Sequence, residues 1–328
     1  MIKLKKLFTG AVIATSSLIS MNAAVAADYP PQTINMVAPS GAGGGWDLTI
    51  RTVAKTLKDT GLVSSNMPVV NRPGGGGAVN LAYMQTQKGK GDLISVYSPP
   101  ILLTNLTGLT QYSYQDTTPL ARLITDYAAF VVPENSKYTS IKQVMDALKN
   151  DPKSVKIGGG SAAGSMDHIQ FLLVAKAAGV ENLRQIDYIS FQDGSLVAQA
   201  LGGHVDLIST GLGDVAGIVE SGKLRALAQT ADKRIGTGLI AEIPTVKEEG
   251  IDVTFENWRG LFGPKDMPAE AVQYWRDTLQ KMVETPEWKA ALKRNGWDNA
   301  YQDNEAFTTF LATTNEQYKS LIKDVFGR

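Results

Sequence analysis

Short apolar runs recur along this chain, each followed by a loop of small residues and then by apolar positions at helical spacing. Such runs read as buried strands, and the spaced positions as helices with one apolar stripe. Residues 34–38 form the first run. Pro39-Ser40-Gly41-Ala42-Gly43-Gly44-Gly45-Trp46-Asp47 follows it, and a helix carrying Leu48, Val53, Ala54 and Leu57 runs from 47 to about 57 and ends at Gly61. Residues 68–71 predict a second strand, Arg72-Pro73-Gly74-Gly75-Gly76-Gly77 its loop, and residues 78–86 the next helix. Residues 92–97 predict a third strand, which leads through Ser98-Pro99-Pro100 to another helical start. Three strand–loop–helix units in succession point to an α/β fold with a mainly parallel sheet and helices on both faces.

The pattern continues with strands at 127–132, 154–157, 186–191, 205–209 and 224–228. Ser140-Ile141-Lys142-Gln143 is a capping box that opens a helix with Ile141, Val144, Met145 and Leu148 on one face. Gly158-Gly159-Gly160-Ser161-Ala162-Ala163-Gly164-Ser165 is a second long glycine-serine loop, followed by a helix at 166–178. A short helix is expected at 195–201, and Asp214 sits at the start of another. The last stretch has a strand at 255–262 and three helices at 268–283, 286–294 and 304–325. Their stripes of Trp275, Leu279, Met282, Phe307, Phe310 and Tyr318 read as core.

Composition changes this picture in a few places. The first 26 residues combine Lys3, Lys5 and Lys6 with an apolar stretch over 7–19 and Ala24-Val25-Ala26, the signature of a secretory signal peptide cleaved after about Ala26. No later stretch reaches the ~20 apolar residues of a membrane helix. Without the three leader lysines, 29 basic residues face 32 acidic ones, a net charge of about −3 that argues against a nucleic-acid partner. The chain has no cysteine, hence no disulfide and no lipoprotein anchor, which suits the periplasm. Its two histidines, His168 and His204, belong to no cluster with metal-ligand spacing, so no metal or cofactor is expected.

The two glycine loops carry the candidate chemistry. A strand-to-helix turn rich in glycine leaves N–H groups uncovered at the positive end of a helix, which suits an anion. With export, no lysine in the first loop and no Walker pattern, that anion is a carboxylate rather than a phosphate. The candidate ligand contacts are Ser40, Gly41, Gly44, Gly45, Trp46, Asp47, Ser98, Gly160, Ser161, Gly164, Ser165 and Asp214. Ser161 and Ser165 are the leading side-chain donors. Asp47 and Asp214 read as helix N-caps first. Arg51 is expected to pair with Asp47 one turn away, Arg72 to pair within its own turn, His168 to satisfy a local hydrogen bond, and His204 to lie exposed.

Taken in order, these motifs resemble a known family. The segments 38–47 and Asn71-Arg72-Pro73-Gly74, the loop Gly160-Ser161-Ala162-Ala163-Gly164-Ser165-Met166-Asp167-His168, Gly202-Gly203-His204-Val205-Asp206 and Trp258-Arg259-Gly260-Leu261-Phe262-Gly263-Pro264 look like those of the substrate-binding proteins of tripartite tricarboxylate transporters, the Bug family. The resemblance implies a type II periplasmic binding protein. Two α/β domains, about 27–125 plus 230–328 and 126–229, would be joined by hinge strands near 124–130 and 224–228, with the ligand between them. It also implies a monomer that binds a small organic carboxylate through loops and bridging waters, with little need for arginine, and hands it to a two-component membrane permease or presents it to a sensor kinase. Three features depart from the family pattern: Trp46 where many members carry a small or polar residue, the opening of the second glycine loop, and Phe191-Gln192-Asp193-Gly194 in place of a tyrosine-lysine-glycine run.

Two enzyme readings compete. Gly158-x-Gly160-x-x-Ala163 with Glu181 about twenty residues on satisfies a dinucleotide fingerprint, but in an exported chain. A hydrolase would need a nucleophile motif that Ser161 and Ser165 lack, and His168 lies only three residues from Ser165.

Overall fold

The computed structural model describes residues 29–191 and 194–327, without the side chains of 324–326. The leader and its cleavage site, together with Gln192 and Asp193, lie outside the described residues.

In chain order the elements are β1 (Asn35–Ala38), α1 (Gly45–Asp59), β2 (Val69–Asn71), α2 (Ala78–Gln85), β3 (Leu93–Tyr97), α3 (Pro100–Leu106), β4 (Thr117–Pro133) and α4 (Ile141–Asn150). Then come β5 (Ile157–Gly159), α5 (Met166–Ala177), β6 (Tyr188–Ser190), α6 (Leu196–Leu201), β7 (Leu207–Gly211), α7 (Leu212–Glu220), β8 (Leu224–Gln229) and α8 (Leu239–Glu242). The chain closes with β9 (Glu256–Pro264), α9 (Ala269–Glu284), α10 (Pro286–Asn295), β10 (Asp298–Gln302) and α11 (Asn304–Phe326).

The strands run in the order β2-β1-β3-β9-β4-β7-β5-β6, with β10 and β8 also on β4. β1 is parallel to β2 and β3, as the strand–loop–helix pattern predicts, and β5 is parallel to β6 and β7. β4 lies antiparallel to its partners and is far longer than the six residues its apolar run suggests. Its first part, Thr117 to Tyr127, pairs with β9, and its last part, from Ala128, pairs with β7 and β8. One strand therefore belongs to two half-sheets. The two parallel sets are joined through antiparallel β4 and β9, so the sheet is mixed rather than mainly parallel.

The apolar stripes sit where their spacing puts them. Ile50, Val53 and Leu57 of α1 and Trp275, Leu279 and Met282 of α9 are buried against the first half-sheet. Each such side chain contributes about 1.5–3 kcal/mol through burial. Phe307, Leu311, Tyr318 and Leu321 of α11 pack in the same cluster as Phe130 and Phe171. Ile240 and Ile243 join Val131, Ile208 and Val215. Residues 240–243 thus pack with the second half-sheet, whereas Val246, Ile251 and Phe255 belong to the cluster that spans both halves. Ser140 caps α4 by accepting the Gln143 N–H, while the Gln143 side chain accepts the N–H of Thr139, one residue further back than a reciprocal box requires.

Candidate functional site

Both glycine loops open onto one cleft of about 370 Å³ between the half-sheets. Nine of the twelve sequence candidates line it: Ser40, Gly41, Gly45, Trp46, Ser98, Gly160, Ser161, Ser165 and Asp214. The volume falls within the roughly 300–1,000 Å³ typical of small-molecule sites.

The first jaw is set by Asp47. The N-cap of α1 is Gly44, so Asp47 is the third helical residue and not the cap. Its carboxylate turns away from the cleft into the loop, accepting the Gly43 N–H at 2.9 Å, the Asn71 side-chain amide at 2.8 Å and Arg51 Nε at 2.8 Å. Burial raises its pKa, but these three donors outweigh burial and hold it below the usual carboxylate range. Gly44 caps the helix behind the cleft wall. Gly45 and Trp46 line the cleft, and their first-turn N–H groups have no acceptor within the helix. The Trp46 indole donates to Ser98 Oγ at 2.9 Å and packs edge-on to Tyr97 with centroids 5.8 Å apart. Trp46 thus both packs in the core and walls the cleft.

The second jaw uses the same device. Ser161 Oγ accepts the Asp167 N–H and Asp167 Oδ2 accepts the Ser161 N–H, both at 2.9 Å. Ser165 is the N-cap of α5 but makes no capping bond with its side chain, so its hydroxyl is available to the cleft. Gly164 does not line the cleft. It takes a left-handed φ of 79° and donates its N–H to His168 Nδ1 at 2.9 Å. Burial lowers the His168 pKa to about 4. With its folded pKa below its unfolded one, His168 contributes stability that is complete above pH 6.5 and is lost as pH falls toward 4. His168 and His204 are the only histidines, so a two-dimensional NMR titration is expected to show one imidazole, His168, still neutral at pH 5. Gly158 and Gly159 belong to β5 rather than to the loop, which puts the first glycine of the dinucleotide-like run inside a strand.

Several cleft residues escaped the sequence reading. Pro73, Gly74, Gly75 and Gly76 form a third loop, and all four glycines at 74–77 have positive φ, a path that other residues resist. Asn257 and Arg259 reach the cleft from β9, and Thr210 from β7. Arg259 is the one cationic side chain among the lining residues. Its Nη1 donates to Thr49 Oγ1 at 3.0 Å, and Nη2 lies 3.8 Å from Asp126 Oδ2. A Cβ at position 45 would come within 2.7 Å of Nη2, so the guanidinium needs Gly45. A charged residue inside an apolar strand was the available signal, because such a group is costly unless it is paired or functional.

Acid groups crowd the floor. Burial raises Asp167 to about 7, with the Asp214 charge adding to it. Burial also raises Asp126 to about 6, opposed by Arg259 and reinforced by Asp214. Asp214 is exposed within the cleft and, like Asp47, sits third in its helix behind a glycine cap, Gly211. Arg72 stacks on Tyr83 of α2 at 3.7 Å rather than pairing within its own turn, whereas Arg51 pairs with Asp47 and His204 is exposed, as expected. Among the described residues, no three His, Cys, Asp or Glu side chains are grouped to hold a metal ion, and no helix is long and apolar enough to cross a membrane.

Two half-sheets sharing one long strand, with helix N-termini converging on the cleft between them, define a solute-binding receptor of the periplasmic type. The family profile described as "Tripartite tricarboxylate transporter family receptor" matches residues 50–326, and the chain belongs to that family. Receptors of this kind are periplasmic binding proteins rather than enzymes. A crystal structure of a TctC solute-binding protein from Polaromonas, without ligand, is 30% identical, covers 90% of this chain and 99% of its own, and superposes with a TM-score of 0.70. A Cupriavidus necator relative, "UPF0065 protein in gbd 5'region", is 28% identical over 95% of this chain and 94% of its own length. The structure of R. palustris Rpa4515 with adipate shares the fold at a TM-score of 0.79, with 21% identity over 91% of this chain and 98% of its own.

Proposed function

We propose that this chain, exported and cleaved after about Ala26, works as a monomer that captures a small organic carboxylate in the cleft and delivers it to a two-component membrane permease. A citrate-like tri- or dicarboxylate is the first candidate. The observation that carries this reading is the convergence of unlike donors on one cleft. The first turn of α1, the hydroxyls of Ser161 and Ser165, and the Arg259 guanidinium come from separate elements and face one volume. Ionised carboxylates take several such donors at once. The adipate carried by the structural neighbour supports the class of ligand, and the family description supports the permease. The lobes are 27–125 with the C-terminal part of the chain and 126 to about 255. β4 and the crossing into β9 serve as hinges that bring the jaws together. A role as ligand-loaded partner of a sensor kinase would use the same cleft.

The deciding measurement is a thermal-shift screen over organic acids. A ligand at 100 times its Kd adds roughly 2.7 kcal/mol to stability, and a set of carboxylates that leaves the melting temperature unmoved rejects the proposal. The two serines are then expected to separate. Ser165→Ala should lower affinity about tenfold with little change in stability, since its hydroxyl makes no capping bond. Ser161→Ala should also cost about 1 kcal/mol of stability, because its oxygen accepts the Asp167 N–H. Calorimetric titration paired with urea melts reads both.

A further inference from the structure

Resting on the carboxylate reading above, we propose that the acid bound here carries a hydrogen-bond donor on its carbon chain, a hydroxyl or an ammonium, recognised by Asn257 and Asp167. Both side chains line the cleft and both are almost wholly buried, at 2% and 3% exposure. Asn257 Oδ1 and Asp167 Oδ1 are each buried with no hydrogen-bond partner among the described residues. Asp167 uses its other oxygen to hold the Ser161 N–H, so its orientation is set by the loop and Oδ1 is the atom left over. They come from different elements, Asn257 from strand β9 and Asp167 from helix α5.

Buried acceptors in folded proteins are almost always satisfied, and each that is not calls for an explanation. A bare carboxylate cannot supply one. Its oxygens only accept, and they are drawn to the N–H, hydroxyl and guanidinium donors already described. A plain diacid would therefore set the Asn257 acceptor, and the Asp167 acceptor wherever that group is ionised, with the exposed Asp214 beside them, against more acceptors. A hydroxyl or ammonium between the carboxylates reverses this. An ammonium can donate to both Asn257 Oδ1 and Asp167 Oδ1, and a hydroxyl, with its single hydrogen, to one of them, while the carboxylates keep the loops and Arg259. Sites built to pair a polar group discriminate strongly against the analogue that lacks it, because their own buried groups are then stranded.

Matched acids test this by isothermal titration of the whole mature protein. Succinate, malate and aspartate differ only in having no donor, a hydroxyl or an ammonium. Tricarballylate and citrate make the same comparison in a larger acid. In whichever size binds, the donor-bearing acid is expected to bind at least tenfold tighter than its plain partner, and malate against aspartate tells which donor is preferred. In Asn257→Leu that ratio should fall below about threefold, whereas Asn257→Asp, which keeps an acceptor, should retain it for aspartate. Succinate or tricarballylate binding as tightly as its substituted partner overturns the inference while the carboxylate reading stands. Binding of none of the five overturns both.

Discussion

Asp47→Ala is expected to destabilise the protein by about 2–4 kcal/mol and to weaken ligand binding more than tenfold, although Asp47 never faces the cleft. The carboxylate is buried and holds three donors from three places: the Gly43 N–H, the Asn71 amide and Arg51. Hydrogen bonds to a charged group contribute about 1.5–3 kcal/mol each before relaxation, and their loss strands the donors left behind. Arg51 is half exposed and recovers water, so the stability cost comes mainly from Gly43 and Asn71. Asn71 also donates to Ser40 O at 3.0 Å, so the glycine loop and the β2 loop lose their common tie. Freed of it, the loop must be reordered by the ligand, which lowers affinity. Asp47→Asn keeps one acceptor for Gly43 but repels Arg51, and should fall between wild type and alanine. Urea melts and titration calorimetry on the three proteins check the order. A fully stable Asp47→Ala with normal affinity would mean that the network does not set the loop.

The contrast between Asp47 and Arg259 shows what this sequence reveals. The strand–glycine–helix units were legible because each is local: an apolar run, residues free to take positive φ, and a helical stripe lie side by side in the chain. The same locality picked out both loops that line the cleft, and it misread Asp47 and Asp214 as caps when each lies three positions past its cap, because the capping residue is a glycine with no side chain to mark it. β4 was shortened to its apolar end. Its earlier part carries Thr118, Pro119, Arg122 and Asp126, which are polar or lack an N–H, and becomes strand only through pairing with β9 and β10. β10 itself, Asp298–Gln302, has no alternation to betray it. Asn257 and Arg259 were absorbed into the strand expected at 255–262. Their role depends on where β9 crosses between the half-sheets, a relation between residues more than a hundred positions apart in the chain.

Arg259 is where that non-local placement should have its largest consequence. Its guanidinium is 5% exposed, fixed by Thr49, and, among the described residues, the sole cation lining a cleft that also holds Asp167 and Asp214. Without it, a carboxylate ligand meets only neutral donors and negative charge. Removing one partner of a buried, hydrogen-bonded charge pair typically costs 2–5 kcal/mol in binding. Arg259→Gln is therefore expected to weaken carboxylate binding by roughly 30-fold to several thousand-fold. Arg259→Lys keeps the charge but cannot hold Thr49 and reach toward Asp126 and the ligand from one rigid fork, so it should recover only part of the affinity. The substitution also removes the charge that opposes burial at Asp126, whose pKa of about 6 should rise further. Stability then separates the two roles of the residue. With ionised Asp126 left unpaired, Arg259→Gln should lose stability between pH 5 and 8 more steeply than wild type, since a folded-state pKa raised above the unfolded one makes stability fall as pH rises through that window. Arg259→Gln combined with Asp126→Asn should restore much of that loss while leaving binding weak. If the double variant regains full affinity, the acid cluster and not the missing guanidinium was what kept the carboxylate out.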